Sequence, residues 1–341
     1  MMVFPIFSNV KNIDTFTTGL IHVSLDKNIN LPEMKSGFFD NTPSFIKLLF
    51  VFVLMACSYL IVFFFSVVAG AIFFDVNYHD MVGILQGEGG YDQHTGLLKF
   101  LQIFYSVGLF LVPGILAGYF IQGRSLSYIL AHRRPSVFTS VAVVLLLISA
   151  VPAINFLVEL NLGLNLPESL SGIDEKIKSA EQDAQEMMSA FLSSGGTVGF
   201  LVNLFMIALI PALGEEFLFR GVIQRILTEW IRNHHIAILL TAVFFSMMHF
   251  QFLGFLPRMA LGVMFGYLFV WSRTIWVPVI AHFLNNAMAV IFVYLYSDEV
   301  IRYDLDKVGS TGETLVYTAF SVLAIVMMMT GIYLYEKRRV S

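Results

Sequence analysis

Eight stretches of apolar residues run along this 341-residue chain, and most are long enough to cross a lipid bilayer. They lie at about 46–74, 97–122, 137–159, 197–213, 236–250, 257–272, 275–296 and 314–335. A backbone in lipid must satisfy its own hydrogen bonds, and the alternating pattern of a membrane barrel is absent from the sequence. The predicted fold is therefore all-α, a polytopic membrane bundle of about eight transmembrane helices, of which 236–250 is the least secure.

The composition supports a membrane protein and excludes several other classes. Hydrophobic residues make up 57% of the chain and charged residues 13%, whereas soluble domains carry about 25% charged residues. A net charge of −4 offers no basic surface for a phosphate backbone, so the bilayer is an expected partner and nucleic acid is not. The single cysteine, Cys57, excludes intramolecular disulfides and multi-cysteine metal sites.

Lys and Arg are concentrated in alternate loops, which predicts the orientation of the chain. They occupy loop 123–136, the connections after the fourth and sixth apolar stretches, and the C-terminal end, whereas the other loops are acidic or mixed. The basic loops and both termini are therefore expected in the cytoplasm. Residues 1–44 would form an N-terminal cytoplasmic segment without a removable signal peptide, followed by a transmembrane helical domain at 45–341.

The longest predicted outer loop, residues 160–196, has the pattern of an amphipathic helix. Its apolar residues recur at steps of three and four: Ile173, Ile177, Ala180, Ala184, Met187 and Phe191. Such a helix commonly has a structural role, in which it packs on the bundle or lies at the membrane interface. The alternative is a functional role as a lid or substrate-docking element.

Ionisable residues inside the apolar stretches are few, and they fall between residues 214 and 287. Glu159 and Arg258 lie at the edges of their stretches, where long side chains can reach water. The remaining polar residues are Glu215, Glu216, Arg220, His249, His282 and Asn286. Any one of them could simply hydrogen-bond across helices. Their occurrence together indicates a joint site, because each is costly in a membrane.

The two adjacent acids are expected to have different roles. Pro211 and Gly214 interrupt the apolar run, which predicts that a new helix begins there with its positive end near the acids. Adjacent helical residues point about 100° apart, and Glu216 stands one turn before Arg220, the spacing of an ion pair. Glu215 then faces elsewhere and is free to act as a general base or acid.

The histidines are also spaced by one helical turn from a useful neighbour. His282 and Asn286 project into the same space, and two donors in a dry pocket suit the oxyanion of peptide hydrolysis. Phe245 precedes His249 by one turn and provides an aromatic wall beside this second imidazole, which is placed to share a water with Glu215.

Three motifs thus follow one another on successive apolar stretches: Glu215-Glu216-x-x-x-Arg220, Phe245-x-x-x-His249 and His282-x-x-x-Asn286. Together they resemble the CPBP family, the CAAX proteases and bacteriocin-processing enzymes, which includes type II CAAX prenyl endopeptidases and bacterial Abi proteins. The resemblance covers a protease-like core at about 197–297. It implies an intramembrane endopeptidase of the bacterial inner membrane, acting on a membrane-associated or prenylated peptide or protein in CAAX-type or leader processing.

The resemblance also implies a role for each motif residue. Glu215 and His249 would activate water, and His282 and Asn286 would stabilise the tetrahedral oxyanion. The remaining three motif residues, Glu216, Arg220 and Phe245, would support the site.

Two alternatives to metal-free proteolysis remain open. The family is commonly labelled metalloprotease, and His249, His282 and Glu215 could supply three zinc ligands. The sequence lacks a His-Glu-x-x-His motif, so catalysis without a cofactor is favoured over a zinc-dependent version. The other alternative is a non-catalytic scaffold, immunity protein or transporter. Matching interrupted helices in both halves, expected of a duplicated transporter, are absent from the sequence, and every motif residue is present.

Overall fold

The computed structural model describes residues 37–86, 90–164, 171–193, 195–296, 307–310, 312 and 314–340. These residues form helices and turns only. The helices are α1 (Ser44–Phe73), α2 (Tyr78–Leu85), α3 (Thr95–Gln122), α4 (Ser125–Tyr128), α5 (Val137–Leu162), α6 (Ser171–Ser193), α7 (Gly196–Ile231), α8 (His234–Met247), α9 (Phe255–Ser272), α10 (Trp276–Leu295) and α11 (Leu315–Val340). Most of the predicted N-terminal segment, up to residue 36, lies outside the described residues.

Seven of these helices are long and apolar enough to cross a membrane, so the predicted all-α membrane bundle is confirmed. The remaining predicted stretch, 236–250, which is the fifth along the chain, forms only the short helix α8 of 14 residues. At 1.5 Å per residue it extends about 21 Å, less than the roughly 30 Å of a hydrocarbon core. The chain then turns and returns through α9, so the two form a helical hairpin.

The prediction that a new helix begins just before Glu215 is wrong. Helix α7 continues through 36 residues, and it contains π-helical turns at Leu204–Leu209 and Phe219–Ile223. The wider first turn directly precedes Pro211 and accommodates a residue that cannot donate a backbone hydrogen bond. Gly214 serves close packing instead, since a Cβ there would lie 3.0 Å from the backbone nitrogen of Leu111 in α3.

The described residues form three clusters of buried apolar side chains. The first surrounds α7 mainly with residues of α1, α3 and α8, the second joins α5, α9, α10 and α11, and a small third one joins α2 to the start of α3. The α8–α9 hairpin packs closely because α9 carries glycines at the contact. A Cβ at Gly262 would lie 3.0 Å from the Cβ of Ala242, and one at Gly266 would lie 2.8 Å from Cγ2 of Ile238.

The amphipathic helix predicted in the long outer loop is α6. It packs on the bundle, because Phe191 is buried and its carbonyl accepts a hydrogen bond of 2.8 Å from Asn203. Glu181 is also buried and accepts a 2.8 Å bond from the backbone N–H of Leu253, in the turn between α8 and α9.

Candidate active site

The three motifs meet at one cavity of about 220 Å³ on the α6 side of the bundle. Its polar lining includes Glu215 of α7, His249 in the turn after α8, and His282 and Asn286 of α10. Phe245 forms part of the wall, and α6 contributes Met187, Met188 and Phe191. Folding therefore brings together motif residues that are up to 71 positions apart in the sequence.

Glu216 and Arg220 form the predicted ion pair within α7, and both side chains are 0% exposed. Nη1 of Arg220 lies 2.7 Å from Oε1 of Glu216, while Nη2 donates to the carbonyl of Gly262 at 3.1 Å. The guanidinium carbon also stacks 4.7 Å from the ring centre of Phe245. The pair is thus fixed by a hydrogen bond and by an aromatic face.

Glu216 has a second partner that the motif spacing did not predict. Its Oε1 also lies 2.7 Å from Nδ1 of His282, 66 residues further along the chain. An ionised carboxylate only accepts hydrogen bonds, so Nδ1 of His282 carries a proton and donates it. The imidazole is held in place, and its Nε2 lies 3.8 Å from Oε2 of Glu215.

His249 lies beyond the end of α8, in the turn that leads to α9. The aromatic contact expected from its spacing to Phe245 is present, with ring centres 5.0 Å apart. Its Nδ1 lies 2.9 Å from the carbonyl of Phe245 and therefore donates to it. Nε2 of His249 is then directed to the acid, 3.9 Å from Oε2 of Glu215.

Glu215 is the least satisfied acid of the cluster. Its Oε2 is buried and finds no hydrogen-bond partner among the described residues. The separations of 3.8 and 3.9 Å to the two imidazoles are too long for direct hydrogen bonds, which rarely exceed about 3.2 Å. They leave a gap that one water can bridge.

The two acids of this cluster carry one more negative charge than Arg220 balances, when both are ionised. An uncompensated buried charge is costly. The remaining negative charge is balanced by the Arg258 guanidinium, which lines the same cavity, or by a proton on Glu215 or on one of the imidazoles. The arrangement is suited to moving this proton between the carboxylate and the two Nε2 atoms.

Asn286 is only partly free to act as a donor. Its Nδ2 donates to the carbonyl of Ile207 at 3.1 Å, and its Oδ1 accepts a 3.1 Å bond from Asn285. Ile207 lies in the first π-helical turn of α7, where the backbone bonding is irregular. These two contacts fix the orientation of the amide, and one of its two N–H bonds remains available to a ligand.

The sequence reasoning missed three polar residues of this cavity. Arg258 was placed at the edge of a membrane-spanning stretch, whereas the structure places it in the lining. Gln102 and Asn285 also line the cavity, and the sequence analysis did not name them. Arg258 follows His249 by only nine residues, across a tight turn, and this short separation was the signal that Arg258 lies near the site.

The types of side chain present fit a zinc ion, whereas their spacing does not. Both imidazoles donate through Nδ1 and leave Nε2 toward the cavity, as metal-binding histidines usually do. Glu215 would supply the third ligand. In the described part of the chain, however, no three His, Cys, Asp or Glu side chains are arranged to hold a metal ion.

Comparison with known proteins points to one family for this part of the chain. Residues 197–288 match the family described as type II CAAX prenyl endopeptidase Rce1-like. The membrane-embedded CAAX protease MroQ of Staphylococcus aureus is 33% identical over 100 residues, which are 28% of this chain and 40% of the relative. An uncharacterised Bacillus subtilis protein, YpbD, is 29% identical over 90 residues, 25% of this chain and 43% of the relative.

The family match covers residues 197–288, which carry the three motifs. The chain spans less than half the length of the curated relatives it matches. No solved structure matches it. The chain is an integral membrane protein, and its residues 197–288, which carry all three motifs, are similar to the Rce1-like type II CAAX prenyl endopeptidases, as the motif resemblance predicted.

Proposed function

We propose that this protein is an intramembrane endopeptidase that hydrolyses a peptide bond with a water activated by Glu215 and His249. The observation that carries the proposal is the buried, unpartnered carboxylate oxygen of Glu215, which faces the Nε2 atoms of His249 and His282 at 3.9 and 3.8 Å. A carboxylate and an imidazole across a gap of one water are suited to general acid–base catalysis.

In the proposed reaction the water lies in this gap. Glu215 and His249 act together as the general base and take one proton from this water. The water oxygen attacks the peptide carbonyl, and the carbonyl oxygen becomes an oxyanion. That proton then passes to the leaving nitrogen, the C–N bond breaks, and the water oxygen remains in the new carboxyl group. Glu215 and His249 thereby return to their initial state.

His282 and Asn286 stabilise the oxyanion in this proposal. His282 donates through Nε2 when it carries the extra proton of the cluster, because its Nδ1–H is already bound to Glu216. Asn286 adds the N–H that Ile207 leaves free. Donors held in place before the reaction stabilise the developing charge without reorganisation. Glu216 and Arg220 are positioning residues, since they hold the ring of His282.

The substrate in this proposal is a membrane-associated peptide or protein, prenylated in CAAX-type processing or unmodified in leader processing. An apolar groove of about 410 Å³ adjoins the cavity, and Leu261 and Asn285 line both. The groove lies between α5, α9 and α10, and its other lining residues include Leu147, Ile154 and Met288. It is suited to an apolar part of the substrate, whether a lipid chain or apolar side chains.

The experiment that tests the function is cleavage of prenylated and unprenylated peptides by the purified protein in lipid vesicles. We expect cleavage to persist after treatment with a chelator, because the proposed route uses only side chains. The alternative is a zinc-dependent version with Glu215, His249 and His282 as ligands, where zinc would act as a Lewis acid. Activity that is lost on chelation and restored by zinc would contradict the metal-free route and support this alternative.

We also propose that both termini face the cytoplasm of a bacterial cell, because the basic loops would then lie inside. This orientation needs eight crossings, so the short helix α8 would have to carry the chain across the membrane together with the turn that follows it. In a Cys57→Ser background, a cysteine at Asp92 should react with a membrane-impermeant thiol reagent in intact cells, and one at Arg134 should not. Both should react once the cells are opened. The reverse pattern in intact cells would contradict this orientation.

A further inference from the structure

We propose that Arg258 binds a carboxylate of the substrate next to the peptide bond that is cut. This inference rests on the proposed function and adds to it a requirement for a negatively charged group. Arg258 lies in the first turns of α9 and lines the same cavity as Glu215, His249 and His282. A charged side chain within a membrane-spanning helix usually marks a functional site.

The guanidinium of Arg258 has only neutral hydrogen-bond partners in the described part of the chain, while the carboxylates of Glu181 and Glu215 interact with it electrostatically from beyond ion-pair distance. Its Nη1 donates to Oε1 of Gln251 at 2.9 Å, and its Nη2 donates to the carbonyl of Gln251. Its Nε is buried and has no hydrogen-bond partner. Among the described residues, no carboxylate lies within ion-pair distance of it. Arg258 therefore keeps N–H groups that no carboxylate of the described residues occupies, and these can form charge-assisted hydrogen bonds with a negative group that enters the cavity.

The backbone that carries Arg258 is fixed before any substrate binds. Asn161 of α5 donates to the carbonyl of Phe252 at 2.8 Å and accepts from the N–H of Leu256 at 2.7 Å. Glu181 of α6 accepts from the N–H of Leu253. The turn between α8 and α9 is thus held by two other helices, and the cation needs little ordering when a ligand binds.

Gly254 leaves the space that the guanidinium occupies. A Cβ at this position would lie 2.5 Å from Nη1 of Arg258 and 2.8 Å from its Cζ. The guanidinium is therefore set between Gly254 and Gln251, at the edge of the cavity. Its hydrogen bonds to Gln251 hold the guanidinium against this turn, although the residue as a whole is partly exposed.

A carboxylate is the group best suited to bind the Arg258 guanidinium at the edge of the cavity. Arginine binds carboxylates through short, charge-assisted hydrogen bonds. The acid Glu215 lines the same cavity and repels a negatively charged substrate, and Arg258 offsets this repulsion. The carboxylate could be the free C-terminus of a peptide that ends shortly after the cut bond, or an Asp or Glu side chain at that position.

The test uses wild-type protein in vesicles and three peptides that differ only near the C-terminus. One ends in a free carboxylate, one in an amide, and one in an amide with a Glu side chain beside it. We expect kcat/KM to be about tenfold to a hundredfold higher for the free carboxylate than for the plain amide, the usual effect of a charged hydrogen bond. Recovery by the Glu peptide would identify a side chain as the accepted source.

Variants locate the effect at Arg258. In Arg258→Gln the ratio of kcat/KM for the carboxylate peptide to kcat/KM for the amide peptide should fall to about one. Arg258→Lys should keep part of this preference because lysine keeps the charge. The exposed Arg124, in the loop before α4, gives the control Arg124→Gln, which should keep the full preference. Melting curves of all variants show whether each is folded.

Two results would overturn the inference. One is equal cleavage of the carboxylate and amide peptides by wild type, and the other is an unchanged preference in Arg258→Gln. If wild type cleaves no peptide, the proposed function fails, and the affinities of the same peptides for wild type test Arg258 separately. Equal affinities for the carboxylate and the amide would then overturn its role as well.

Discussion

Replacing Glu215 by Gln is expected to lower the rate of peptide hydrolysis by about a hundredfold to ten-thousandfold, the contribution of a well-placed general base. Glutamine has nearly the same size, so the cavity keeps its shape, but the amide cannot take a proton from water. The rate is measured as product formed per protein molecule in vesicles, at saturating peptide. The loss should appear in kcat, because substrate contacts elsewhere in the cavity remain.

Glu159 provides a matched control for this substitution. It is an exposed glutamate near the end of α5, and it does not line the cavity. Glu159→Gln should hydrolyse peptide at the wild-type rate. Near wild-type turnover of Glu215→Gln would show that Glu215 does not activate the water.

The water-activating residues should also act as a unit. If Glu215 and His249 handle the same proton, the double variant Glu215→Gln, His249→Gln should lose little more activity than either single variant. Losses that multiply would instead indicate two independent contributions.

Replacing Arg220 by Ala is expected to destabilise the protein by about 3–5 kcal/mol, because it leaves the charge of Glu216 buried without its cation. Both side chains are fully buried, and the guanidinium also donates to the carbonyl of Gly262. Activity should fall as well, since Glu216 holds the ring of His282 through Nδ1. Thermal unfolding in detergent and peptide cleavage measure the two effects.

Arg124→Ala is the control for removing an arginine from an exposed position, and it should leave the melting temperature unchanged. Combining Glu216→Gln with Arg220→Ala should recover part of the lost stability, because no buried charge is then left alone. It should not recover activity, since the carboxylate that holds His282 is gone. An unchanged melting temperature with lost activity in Arg220→Ala would assign Arg220 to substrate binding instead.

The membrane helices could be predicted from the sequence because the thickness of a bilayer sets the length of an apolar run. The interior of α7 could not be predicted in the same way. Pro211 and Gly214 usually interrupt a helix, but here a π-helical turn accommodates the proline and the glycine packs against Leu111. The contact of Gly214 depends on a neighbouring helix, which local sequence does not describe.

The same limit applies within the cavity. Spacing of one helical turn predicted the contact between Glu216 and Arg220, because both residues lie on a single helix. The bond from His282 to Glu216 and the bond from Asn286 to Ile207 join different helices. Those contacts decide which N–H group of each side chain is still free to donate. The sequence therefore predicted which residues belong to the cluster, but it did not predict which of their nitrogens carry a hydrogen.

The central claim is that Glu215 activates a water that cuts a peptide bond, and labelled water tests it most directly. Membranes containing wild type or Glu215→Gln are incubated in water enriched in oxygen-18, and new peptide C-termini are identified by mass spectrometry. We predict that wild-type membranes yield C-termini carrying one heavy oxygen from the attacking water, and that Glu215→Gln membranes yield almost none. Equal amounts of these labelled C-termini in the two membranes would contradict the account.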